Sequence, residues 1–108
     1  MNYMISDSDF HKIILDLFRV AKRDGIITES EAAIIENVQL NMDKLNQMIS
    51  QAEEDGFITV EEMDKLHKMK ELISMQAYET ALQDNVITSH EEALLKTLSK
   101  LLKKYVPV

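Results

Sequence analysis

The chain has 108 residues, and its formal net charge of −7 disfavours binding to nucleic acid or anionic lipid, which are held mainly through Lys and Arg. It contains no cysteine, which excludes a disulfide framework, thiolate zinc sites and thiol catalysis. Two glycines, one proline and no tryptophan leave little punctuation for strands and a core of Ile, Leu, Met, Val and Ala, so the expected class is all-α, one domain over 1–108.

In chain order, the opening MNYMISDSDF lacks the basic start and apolar run of a signal peptide. No stretch approaches the ~18 apolar residues of a membrane span, and a cytoplasmic location is expected. Segment one, about Asp7 to Arg23, carries Phe10, Ile13, Ile14, Leu17, Phe18 and Ala21 at the three-and-four spacing of a buried helical stripe. The octet Asp24–Glu31, DGIITESE, then follows. It returns as DGFITVEE at Asp55–Glu62 and DNVITSHE at Asp84–Glu91, with Ala21, Ala52 and Ala81 each three residues ahead.

The octet reads as punctuation. Gly25, Gly56 and Asn85 occupy the position that favours a left-handed backbone, where a helix stops. Thr28, Thr59 and Thr88 are followed three residues later by Glu31, Glu62 and Glu91, the capping box that opens the next helix. Ile27, Ile58 and Ile87 sit just before the cap, where an apolar side chain can staple onto Ala32 or Met63; Glu92 breaks the staple in the third copy. Turns are therefore expected near 24–28, 55–59 and 84–88.

Segment two, Glu29 to Glu54, repeats Ile35, Val38, Met42, Leu45, Ile49 and Ala52 as a heptad seam. Segment three, about Val60 to Gln83, sets Met63, Leu66, Met69, Ile73, Ala77 and Ala81 on one side. Segment four, about Ser89 to Tyr105, offers Ala93, Leu94, Leu98, Leu101, Leu102 and Tyr105. Two readings of the middle stay open. The heptad and the lack of Gly and Pro favour continuous helices, whereas typical helix length favours breaks near Asn41 and Ser74. The expectation is an antiparallel helical bundle of three repeated helix–turn–helix units, with four long helices or up to six, in which turns one and three share an end.

The string D-G-x-I-T-x-x-E resembles the second half of an EF-hand loop, which needs oxygen ligands at fixed positions and a closing bidentate Glu. Turn one places Val20 and Lys22 where ligands should stand, and turn three places Thr80 and Leu82 there. Turn two keeps Gln51, Glu53, Asp55, the Phe57 carbonyl, Thr59 and Glu62, a candidate set for calcium or magnesium. The longer pattern A-x-x-D-G-hydrophobic-I-T-x-x-E resembles the repeats of TerB-like (tellurite-resistance) helical domains. That resemblance covers most of the chain and implies a stress-response setting, with Asp24, Glu31, Asp55, Glu62, Asp84 and Glu91 as the matching metal-binding acids. The chain departs from the pattern at Lys22 and Asn85.

Catalytic motifs are missing. The two glycines cannot make a phosphate loop or dinucleotide fingerprint, no G-x-S-x-G elbow occurs, and Leu94 stands where the second His of a zinc-protease motif beginning at His90 must be. Asp64, His67 and Glu71 share one helix face, faintly like a di-iron bundle, without the second pair such a site needs. No cofactor is expected. Lys96, Lys100, Lys103 and Lys104 suit a helix C-terminus and also form a basic patch for an acidic partner or another copy's acidic turn. The leading expectation is a non-enzymatic interaction or scaffold module, working through a protein partner or by self-association along the seam of segment two. The alternative is a weak divalent-cation binder.

Overall fold

The computed structural model describes residues 5–23 and 25–108, and leaves the side chain of Asp84 undescribed. Four α-helices carry the fold: α1 Asp7–Ala21, α2 Glu29–Ala52, α3 Val60–Ala81 and α4 Ser89–Tyr105. No strand occurs among the described residues. Short 3-10 turns, Glu53–Asp55 and Leu82–Asp84, tighten the ends of α2 and α3, as helix termini commonly do to satisfy their last carbonyls.

Each helix starts at a cap that its sequence supplies. Ser6 accepts from the Asp9 amide ahead of α1. Thr28, Thr59 and Thr88 close full capping boxes with Glu31, Glu62 and Glu91. Gly25, Gly56 and Asn85 have φ of 87°, 85° and 62°. Asn85 is the only non-glycine residue with positive φ among those described, in keeping with the tolerance of Asn for that region.

Helices α2 and α3 run unbroken through Asn41 and Ser74, which settles the choice in favour of continuity. The possible break at Asn41 does not form because its side chain serves another purpose. Asn41 is buried, and its amide donates 2.6 Å to Gln76 Oε1 on α3 and 3.3 Å to Asn37 Oδ1 one turn back. A residue able to cap a helix has instead become a polar tie between two helices.

The seam of α2 is buried along its whole length, from Ile35 through Val38, Met42, Leu45 and Ile49 to Ala52. It packs along α3, which supplies Leu66, Ile73, Ala77 and Ala81. The seam is thus consumed within the chain, and the expected self-association along it has no exposed surface to use. Helix α1 packs on α4, whereas α1 with α2 and α3 with α4, though joined by short turns, meet only sparingly. Short connections make neighbours, but the long α2 and α3 spend their apolar faces on each other. Ala21, Ala52 and Ala81 are all buried, as expected of small residues that admit a neighbour to the last helical turn. The result is an elongated slab of 46 × 27 × 18 Å, only about two helix diameters thick.

The ends of the chain are tied down separately. Ile5 is buried and exchanges hydrogen bonds with Asn46: its amide donates to Oδ1 at 2.9 Å and its carbonyl accepts from Nδ2 at 3.3 Å. Val106 and Val108 are buried beside α3, where Lys70 Nζ donates to their carbonyl oxygens at 3.0 and 2.8 Å.

Candidate functional site: the three turns and the groove between α3 and α4

The turns are built alike but placed differently. At turn one the Thr28 amide and hydroxyl both donate to Glu31 Oε1, at 3.1 and 3.0 Å, and the Glu31 amide donates to Thr28 Oγ1. At turn three the Thr88 amide donates 3.1 Å to Glu91 Oε1, with the reciprocal Glu91 amide bond also 3.1 Å. Ser30 Oγ donates 2.6 Å to Glu91 Oε2, so the starts of α2 and α4 lie against each other. Turns one and three therefore share an end. Both capping carboxylates are buried there, and Glu31 Oε2 has no hydrogen-bond partner among the described residues. Burial pushes the Glu91 carboxyl up, and the bonds from Ser30 and Thr88 outweigh that, leaving it below the ordinary carboxylate range.

Turn two stands at the other end of α2, about 36 Å along the axis from turn one at 1.5 Å per residue. Its candidate cation ligands are distributed rather than gathered. Gln51 lies in the last turn of α2, Glu53 and Asp55 in the 3-10 turn, and Gln51, Asp55 and Phe57 face solvent. Thr59 Oγ1 accepts from the Glu62 amide at 3.1 Å, and Glu62 Oε1 accepts from the Thr59 amide at 2.9 Å. That amide bond, followed by the Thr59 hydroxyl, holds the Glu62 carboxyl below its ordinary value. The two residues together cap the start of α3. Among the described residues no three His, Asp or Glu side chains converge as a metal would require. Of the acids that the TerB-like pattern implies, Glu31 and Glu91 meet at one end and Asp55 and Glu62 lie at the other. Asp24 and the side chain of Asp84 fall outside the described residues.

What the periodicity did not reveal is a groove between α3 and α4. Because the two helices meet sparingly, three adjoining cavities of about 340, 340 and 420 Å³ run between them; Ser99 lines all three, and Ser74, Tyr78 and Leu95 each line two. Leu95, Leu98 and Leu102 form the apolar floor, and Met75 and Tyr78 form the α3 wall. Met75 is 57% and Tyr78 50% exposed, large apolar side chains that the core leaves out. One mouth, where α3 begins and α4 ends, carries His67, Lys70 and Lys103 with Glu71. Burial lowers the pKa of Lys70, whose ammonium is already bonded to the Val106 and Val108 carbonyls. At the opposite mouth Lys96 is paired with Glu92 at 3.1 Å.

A sequence signal for the groove existed. Met75 and Tyr78 stand three apart on α3 beside the seam of Met69, Ile73 and Ala77, so the helix has a second apolar face where one core needs a single stripe.

No family model, curated protein or solved structure matches the chain. No helix among the described residues is long and apolar enough to cross a membrane.

Proposed function

We propose that the chain is a non-enzymatic interaction module whose working surface is the α3–α4 groove, where an apolar, helical segment of a protein partner lies along Leu95, Leu98 and Leu102. The four helices act as an antiparallel scaffold of three repeated helix–turn–helix units, and a stress-response setting, which the TerB-like resemblance implies, belongs to the same proposal. The observation that carries it is the groove itself: apolar floor, exposed Met75 and Tyr78 on its wall, and charge of opposite sign at its rim. This is the shape and chemistry that receive an amphipathic helix through anchors spaced i, i+3, i+4 and i+7. The histidines support the non-enzymatic reading, since His11, His67 and His90 lie on three different helices and all face solvent.

The experiment is selection of helical peptides from a displayed library against the intact chain. Peptides with apolar anchors at helical spacing are expected, binding at least ten-fold more weakly to Met75→Glu while the melting temperature holds. Ligands indifferent to Met75→Glu and Tyr78→Ser would overturn the proposal. The calcium or magnesium reading of turn two is the lesser one, because Thr59 and Glu62 are already spent on the helix cap.

A further inference from the structure

We infer that the groove's mouth beside Leu102 takes turn two of a second copy of this chain, so that two copies clasp each other reciprocally; this rests on the groove being the working surface. All three turns expose the apolar residue that follows the left-handed position: Ile26, Phe57 and Val86, at 70%, 65% and 64%. Turn two adds Val60, the most exposed of the described large apolar residues at 88%, where turn three adds only Leu82 at 38%. Turn two is also the most acidic, with Glu53, Glu54, Asp55, Glu61, Glu62 and Asp64 and no basic residue between Gln51 and Asp64. Turn one has Lys22 and Arg23 beside it, and turn three, though also without Lys or Arg, carries only Asp84, Glu91 and Glu92 over the matching stretch.

The groove offers the matching surface. Its mouth beside Leu102 and Val108 is rimmed by Lys103 and His67, with the Lys70 ammonium held on the Val106 and Val108 carbonyls and one carboxylate, Glu71, beside it. The Lys103 ammonium beside an apolar pocket suits an aromatic and a branched side chain carried on an acidic loop, and charges of opposite sign set register and orientation.

The positions also close. Lys70 is ten residues beyond Val60 on α3, about 15 Å along the helix, so the donor loop and the receiving mouth lie in the same half of the molecule. A two-fold axis between them lets each copy give turn two and receive the other's. Such an interface is isologous and ends at a dimer, where a head-to-tail contact would propagate. The net charge of −7 opposes pairing of two copies, and this repulsion is screened within about 10 Å at 0.1 M salt. Dimers are therefore expected at physiological ionic strength and to dissociate when high salt also screens the acidic loop from Lys103.

Sedimentation velocity of the full chain from about 10 μM to about 1 mM is the test. A monomer–dimer equilibrium is expected. Phe57→Ser with Val60→Ser should weaken it at least ten-fold, since two apolar side chains would no longer leave water. Lys103→Glu, on the receiving side, should weaken it too. Melting temperatures should hold, because all three side chains are exposed; Glu54→Lys is a second loop variant that leaves both apolar residues in place. Mixing the Phe57/Val60 variant with the Lys103 variant, one of them fluorescently labelled, should form a heterodimer that neither forms alone, since one intact joint remains. A monomer at every concentration, a dimer untouched by the loop variants, or no heterodimer on mixing would overturn the second-copy assignment. Peptide selection on the groove reads the underlying proposal independently, since selected peptides can bind a chain that never dimerises.

Discussion

The pairing of α2 with α3 and the pairing of α3 with α4 use one helix in two ways. Against α2, helix α3 spends Leu66, Ile73, Ala77 and Ala81 on an uninterrupted seam tied by the Asn41–Gln76 bond. Toward α4 it presents Met75 and Tyr78 to an open groove. Both neighbours are connected to α3 by turns of the same design, so the connection does not decide how closely two helices pack. What decides it is whether each presents a continuous apolar stripe to the other.

The largest expected effects come from the closed side of that comparison. Ile73→Ala or Leu45→Ala, at fully buried positions, should each cost about 2–5 kcal/mol, read by urea unfolding, whereas Met75→Ala on the groove should cost well under 1 kcal/mol. Equal losses on the two sides would mean that the groove is closed in solution.

A second measurement sharpens the role of the tie. Asn41→Leu leaves the Gln76 carbonyl oxygen without its 2.6 Å donor and should cost about 1–3 kcal/mol, with much of that recovered when Gln76→Leu is added. Additive losses in the cycle would show that the two side chains are not coupled.

Next in size are the turns. Gly56→Val should cost about 1–3 kcal/mol through strain alone, because nothing lies within 4 Å of the added Cβ while φ is 85°. Gly56→Asn should cost only a small part of that, since Asn85 holds the same conformation in turn three. Equal melting temperatures for the two variants would contradict the left-handed assignment.

The smallest effect expected from an ionising group is the pH response of Glu91. Its folded-state pKa is depressed, so its contribution is present above the ordinary carboxylate range and is lost as pH falls through the folded value. Ser30→Ala removes one cause of the depression and should flatten this acid limb of the stability curve. An unchanged limb would remove Glu91 from the account. Millimolar calcium should leave the melting temperature of the wild type where it was, whereas a bound ion would raise it.

Much of the fold was legible because it depends on local chemistry. Gly or Asn, Thr and Glu at fixed offsets are sufficient to end one helix and begin another, and the seam of α2 could be read directly from its spacing. Asn41 misleads because capping and cross-helix bonding use the same amide, and only the presence of Gln76 opposite decides between them. The groove was harder to see. Met75 and Tyr78 look like core filler in a one-dimensional pattern, and their exposure depends on α2 having already claimed the other face of α3. At turn two the residues of a cation loop and those of a helix cap overlap at Thr59 and Glu62, so the string alone could not separate the two uses.

The groove can be tested most directly through the methionine methyl groups, observed by ¹³C NMR as a groove-selected helical peptide is added to the full chain. Met75 lies on the groove wall, and Met48 lies beside Glu62 near turn two. The account predicts that the Met75 resonance moves to saturation while Met48 stays in place; binding that shifts Met48 and leaves Met75 unmoved would contradict it.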